Sequence, residues 1–130
     1  MRVLIVESRA ELGKVWARHL ERFGADVTLA GEQDSAIAHL QDTAYQVIIL
    51  DLVIDGGSAL AVADYASFRH PATRVIFVTN TSFFSDGSIF RHCANACAFV
   101  PSATPPADLA AMVEHYGAGD QVKDAVGSPT

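Results

Sequence analysis

The strongest constraint on the fold of this chain is a set of short apolar runs without polar alternation. Arg2 to Val6, Val47 to Leu50 and Arg74 to Val78 are each nearly continuous in apolar residues. Such runs are typical of central strands in a parallel sheet, because helices cover both faces of that sheet. A strand with one face in water would alternate apolar and polar side chains instead. The sequence therefore predicts a parallel sheet at the centre of the molecule.

Two further strands complete the predicted sheet. Asp26 to Ala30 alternates, as an outer strand would, and Ala98 to Val100 forms a short fifth strand. Apolar spacing, capping residues and prolines predict five helices: Ala10 to Phe23, Asp34 or Ser35 to Leu40, Ser58 to His70, roughly Ser85 to Cys93, and Pro105 to Tyr116. Regular alternation of strands and helices predicts an α/β domain with a doubly wound five-stranded parallel sheet, flavodoxin-like in its order 2-1-3-4-5.

The length of 130 residues suits a single hydrophobic core. We place one domain over residues 1–116. Residues 117–130 are rich in glycine and polar residues and are predicted to be a flexible C-terminal tail.

Charge and hydropathy exclude several classes of function. The net charge is -6, with only nine lysines and arginines scattered along the chain, so direct nucleic-acid binding is not expected. No apolar run reaches the roughly 18 residues of a membrane span. The apolar stretch at the N-terminus is too short for a signal peptide. These features predict a cytoplasmic protein that does not insert into a membrane.

Two acids lie where strands of the predicted sheet end. Glu7 follows the first strand and Asp51 follows the third, and these strands are neighbours in the order 2-1-3-4-5. The carboxyl ends of parallel strands form the crevice in which open α/β sheets bind ligands. Paired carboxylates suit Mg²⁺, although each acid could instead cap its strand and face solvent. Thr79, at the end of the fourth strand, would bring a hydroxyl to the same crevice.

These positions resemble those of the receiver domains of two-component response regulators. The resemblance covers residues 1 to about 116, with Glu7 in the first acidic position, Asp51 as phosphoacceptor, and Thr79 and Phe99 as the switch residues. It implies phosphoryl transfer from a histidine kinase or phosphotransfer protein onto Asp51, followed by binding of a downstream protein. It also implies Mg²⁺ held by Glu7, Asp51 and Val53. An enzymatic activity beyond self-phosphorylation is not implied.

The chain departs from the receiver pattern at three places. Ser8 stands where the family has a second acid that binds the metal, and Ser102 and Ala103 stand where it has a lysine and a proline. Asp55 replaces a proline in the loop after the phosphoacceptor. The first two changes weaken the predicted Mg²⁺ site and remove a cation from the phosphoryl group.

Two functions therefore compete. The first is a single-domain response regulator that is phosphorylated on Asp51. The alternative is a pseudo-receiver, poorly phosphorylated or not at all, that acts as a constitutive protein-binding module. A flavin-binding protein of similar fold is disfavoured, because the loop after the first strand, Glu7 to Glu11, has no glycine to cradle a phosphate.

The sequence assigns no functional role to its tryptophan or its two cysteines. Trp16 is predicted to lie in the core or at a half-buried dimer contact, so a homodimer is possible. Cys93 and Cys97 lack further evident metal ligands and are predicted to be packing residues.

Overall fold

The structure is a computed structural model that describes residues 1–79 and 95–127, the last ten of these through their backbone. Five strands are present: β1 (Arg2–Val6), β2 (Asp26–Ala30), β3 (Val47–Asp51), β4 (Arg74–Thr79) and β5 (Ala96–Pro101). Four helices lie within the described residues: α1 (Ala10–Glu21), α2 (Gln33–Asp42), α3 (Ala59–Arg69) and α4 (Pro106–Gly127).

All strand pairs are parallel, and the sheet order is β2-β1-β3-β4-β5. The predicted fold class and strand order are confirmed. In the register of the sheet Val6 pairs with Leu50, and Asp51 pairs with Val78. Strands β1, β3 and β4 therefore end at the same edge, where Asp51 is the last residue of the middle strand.

The core is divided between the two faces of the sheet. One cluster packs α2 and α3 against one face, and a second packs α1 and α4 against the other. Every residue of β3 is buried, as expected for a strand covered on both sides. Trp16 is 1% exposed in the second cluster, so it is a core residue and is not available for a dimer contact. The predicted homodimer stays a prediction.

The ends of several elements differ from their predicted positions. Helix α1 ends at Glu21, two residues early, before Gly24 turns the chain at a φ of 92°. Strand β5 is longer than predicted at both ends. Helix α4 continues through residues 117–127, part of the predicted tail, so the division at residue 116 stays a prediction. The helix predicted over residues 85–93 lies outside the described residues, as does Cys93.

Within the described residues, no helix combines the length and apolar character needed to cross a membrane.

Candidate functional site

The acids predicted from the sequence meet at the carboxyl edge of the sheet. Asp51 ends β3 and is 4% exposed, and Glu7 follows β1 and is 5% exposed. The two carboxyl groups are close enough for Asp51 to raise the pKa of Glu7, and one nitrogen of Arg9 contacts both. Thr79 ends β4 and is also buried. The structure thus brings together the two acids and sets the hydroxyl residue on the adjoining strand.

Arg9 lies over both acids, which the sequence did not lead us to expect. Its Nε is 3.4 Å from Glu7 Oε2, and its Nη2 is 3.4 Å from both Glu7 Oε1 and Asp51 Oδ2. The backbone N–H of Arg9 also donates to Glu7 Oε2, at 3.0 Å. The side chain of Arg9 is 52% exposed, whereas those of Glu7 and Asp51 are 1% and 6% exposed. One guanidinium therefore spans two nearly buried carboxylates from the solvent side.

Burial and the neighbouring acid raise the pKa of Glu7 to about 7, from an ordinary value of 4.5. Desolvation is the largest cause, and the hydrogen bond to Asp51 is the next. The hydrogen bonds from Arg9 act in the opposite direction. In turn, Glu7 is the main cause of a raised pKa for Arg9. The pocket thus makes Glu7 easier to protonate than an exposed glutamate and keeps a positive charge on Arg9.

Ser8, in the place of the family's second acid, connects three loops. Its Oγ donates to the carbonyl of Gly31 at 2.5 Å and accepts from the backbone N–H of Asp55 at 2.7 Å. Gly31 follows β2, and Asp55 lies in the loop after β3. The hydroxyl therefore donates one hydrogen bond and accepts another, and it links the loop after β1 to the loops after β2 and β3.

The loop after Asp51 is held by further hydrogen bonds. The N–H of Val53 donates to Asp51 Oδ1 at 2.9 Å, although the Val53 side chain itself is exposed. Gln33, at the start of α2, accepts from the N–H of Ser58 through Oε1 at 2.8 Å. The adjacent Gly56 and Gly57 have φ values of 63° and 129°, which favour glycine. The backbone after Asp51 is consequently held by hydrogen bonds to Asp51 itself and to the start of α2.

The position of the family's lysine carries no cation. Ser102 follows β5, and its N–H donates to the carbonyl of Thr79 at 2.7 Å. Phe99, the predicted switch aromatic, is partly buried on β5 and pairs in register with Phe77. The chain at Ser102 thus lies beside the end of β4, and its side chain carries no positive charge.

The residues present fit a divalent ion poorly. Mg²⁺ requires near-octahedral oxygen coordination. Here the guanidinium of Arg9 contacts both carboxylates, and the hydroxyl of Ser8 is engaged elsewhere. In the described part of the chain, no three His, Cys, Asp or Glu residues lie together in a way that could hold a metal. The predicted set of Glu7, Asp51 and Val53 stays a prediction, and the contacts of Arg9 with both acids weigh against it.

Comparison with known proteins gives matches among solved structures. No family model matches the chain. No curated protein matches either. A CheY-like response regulator receiver domain protein from Methanospirillum hungatei superposes with a TM-score of 0.85 at 18% identity, covering 94% of this chain and 97% of that one.

Two other matches carry bound groups. A response regulator from Burkholderia pseudomallei with a phosphorylated aspartic acid, calcium and citrate has a TM-score of 0.78 at 19% identity, over 99% of this chain and 75% of that one. TrrA from Thermotoga maritima, in complex with Mg²⁺ and beryllofluoride, has a TM-score of 0.77 at 20% identity, over 88% and 97%. This chain has the fold of a response-regulator receiver domain. At these identities, the likeness establishes the fold.

The positions of Glu7 and Asp51 follow from the sequence, whereas that of Arg9 does not. Strand ends in a parallel sheet predict the positions of Glu7 and Asp51 directly, and the roles of these residues stay predictions. Arg9 lies two residues after Glu7, in the loop over the crevice, and that proximity was the available signal. The connecting role of Ser8 had no comparable signal, because its partners lie 23 and 47 residues away.

Proposed function

We propose that the chain is a receiver-type signalling module that accepts a phosphoryl group on Asp51 and passes the signal on by binding a downstream protein. The observation that carries this proposal is the buried carboxylate of Asp51 at the crevice end of the middle strand, beside Glu7. The donor is a histidine kinase or a phosphotransfer protein, and the setting is the cytoplasm. The phosphorylated aspartic acid of the Burkholderia structure, on the same fold, is consistent with this assignment.

In the proposed reaction, one oxygen of Asp51 forms a bond to phosphorus while the bond from phosphorus to the donor nitrogen or oxygen breaks. The electron pair of the broken bond remains with the donor. The phosphoryl group of the product carries roughly 1.5 to 2 negative charges, in place of the single charge of the ionised carboxylate. Arg9 Nη2 lies 3.4 Å from Asp51 Oδ2, so its guanidinium would be near this group, and a guanidinium matches the oxygens of a phosphoryl group well. Thr79 would supply a hydroxyl from β4.

The direct test is formation of a covalent phosphoryl adduct. The purified chain is incubated with a small acyl phosphate or with a phosphorylated histidine kinase, and the intact mass is measured. We expect one added phosphoryl group, absent from Asp51→Asn and retained in Asp55→Asn, which changes an exposed acid in the same loop. Absence of an adduct with every donor would exclude the phosphoacceptor role.

A second candidate function is supported by Ser8 and Ser102. Because Ser8 brings a hydroxyl in place of a carboxylate and Ser102 brings no charge, the pocket lacks two groups that the family uses. A pseudo-receiver would bind its partner constitutively. In the native organism, deletion of the gene would then alter the output while Asp51→Asn would leave it unchanged. A loss of output from Asp51→Asn as large as that from deletion would exclude this second candidate.

A further inference from the structure

We infer that the guanidinium of Arg9 is a built-in counter-cation that takes the place of a divalent metal ion between Glu7 and Asp51. The pocket would accordingly bind divalent ions weakly, and removal of Arg9 would open it to them. The inference concerns the resting pocket, so it does not require that Asp51 be phosphorylated.

The contacts of Arg9 are those expected of a bridging cation. A metal ion bound between two carboxylates would touch an oxygen of each, and Nη2 of Arg9 is 3.4 Å from an oxygen of Glu7 and 3.4 Å from an oxygen of Asp51. Both carboxylates are nearly buried, so each needs a compensating partner. The guanidinium supplies a positive charge and several N–H donors to the pair at once.

The side chain of Arg9 contacts the two acids of the pocket and does not stabilise the start of α1. Arg9 is the N-cap of α1, and its side chain makes no capping hydrogen bond. Arginine is an unfavourable residue there, because N-caps are usually Ser, Thr, Asp or Asn and a helix N-terminus carries partial positive charge. The ion pairs with the two carboxylates offset the free-energy cost of an arginine at the N-cap. A neutral capping residue would not have this cost.

Charge explains why the guanidinium and a divalent ion would compete. With both acids ionised, Glu7, Asp51 and Arg9 give the pocket a formal charge of -1, which Mg²⁺ would change to +1. Because half of the Arg9 side chain is exposed, it can swing into solvent and does not block the pocket sterically. Binding of a divalent ion would therefore break the ion pairs of Arg9 and add a like charge beside it. The expected result is a weakened affinity for divalent ions.

The test uses Mn²⁺ as a paramagnetic probe of the full-length chain. Broadening of the backbone amide signals of residues 7–9 and 51–54 is followed during a Mn²⁺ titration. We expect Arg9→Gln to bind Mn²⁺ at this pocket at least about tenfold more tightly than the wild type. Arg9→Lys, which retains the charge, should stay close to the wild type, as should Arg22→Gln, an exposed arginine beyond the end of α1.

Two results of this titration would overturn the inference. One is a wild-type protein whose pocket signals broaden at the same Mn²⁺ concentrations as those of Arg9→Gln. The other is a pocket that stays unaffected in both proteins. Unfolding midpoints of the variants, followed by the fluorescence of buried Trp16, establish that each is folded.

A second measurement separates this inference from the proposed function. The adduct on Asp51 is quantified in EDTA and in Mg²⁺. We expect the wild-type yield to be equal within about twofold in the two conditions, since the counter-cation is part of the chain. A wild-type adduct that forms only with Mg²⁺ would contradict the inference and leave the phosphoacceptor role intact. Absence of any adduct would contradict the phosphoacceptor role, and the Mn²⁺ titration alone would then decide the inference.

Discussion

At the residue scale, the raised pKa of Glu7 makes stability depend on pH. Below pH 4.5 the carboxyl group is protonated in both states, so it has no effect. Between pH 4.5 and about 7 the unfolded chain releases this proton while the folded protein retains it, and stability falls as pH rises. Above about pH 7 the carboxyl group is ionised in both states, and the unfolding free energy no longer falls on account of Glu7.

Replacing Glu7 by a neutral side chain should remove this contribution. Relative to Glu7→Gln, we expect the wild type to lose on the order of 1–2 kcal/mol of unfolding free energy between pH 4.5 and pH 8, after allowance for solvent screening. Urea unfolding at the two pH values measures the difference. Glu11→Gln, at an exposed position in the first turn of α1, is the matched control. If the unfolding free energies of the wild type and Glu7→Gln changed equally with pH, the raised pKa of Glu7 would be contradicted.

Ser8 gives a prediction for a single amide. In Ser8→Ala the N–H of Asp55 and the carbonyl of Gly31 each lose their partner, which should cost about 0.5–1.5 kcal/mol. We expect hydrogen exchange at the Asp55 amide to accelerate. Ser35→Ala, which removes a hydroxyl whose bond is local to α2, should leave that amide unchanged. Unaltered exchange in Ser8→Ala would show that the connection between the loops is absent.

At the scale of elements, the start of α3 depends on one hydroxyl. Ser58 is the N-cap, and its side chain accepts from the N–H of Ala61 at 3.3 Å. Ser58→Ala should lower the unfolding free energy by about 1 kcal/mol, whereas Ser58→Asp should retain the cap. Chemical unfolding of the two variants measures the difference. Equal losses in both would mean that the cap contributes little.

Elements differed in how well the sequence predicted them. Strands β1 and β2 were predicted with their observed bounds, because burial of an entire strand leaves a continuous apolar run and an outer strand alternates. The end of α1 was less predictable, since Phe23 fits the apolar stripe but Gly24 turns the chain just after it. Arg9 could not be placed at all. Apolar periodicity carries no information on the direction of a long charged side chain across a crevice.

At the scale of the whole molecule, the described side chains of α4 that enter the core lie in its first half. Leu109 and Val113 are in the core and Tyr116 packs against it, all before residue 117. We therefore expect deletion of residues 118–130 to change the unfolding free energy by less than about 1 kcal/mol, whereas Leu109→Ala should cost about 2–5 kcal/mol. Urea unfolding of both proteins checks this. A truncated chain as unstable as Leu109→Ala would extend the domain beyond residue 116.

The hydrogen bonds of Ser8 restrict the order in which this pocket could be converted into a metal-binding one. An aspartate at position 8 could accept from the N–H of Asp55, but it would place a carboxylate against the carbonyl of Gly31, and two acceptors repel. While Arg9 remains, the new acid would become a third partner for its guanidinium rather than a ligand. Substitution of Ser8 by aspartate alone should therefore not create a metal-binding site. The effects of substitutions at positions 8 and 9 therefore depend on each other. To convert this pocket into a metal-binding one, Arg9 should be replaced before Ser8.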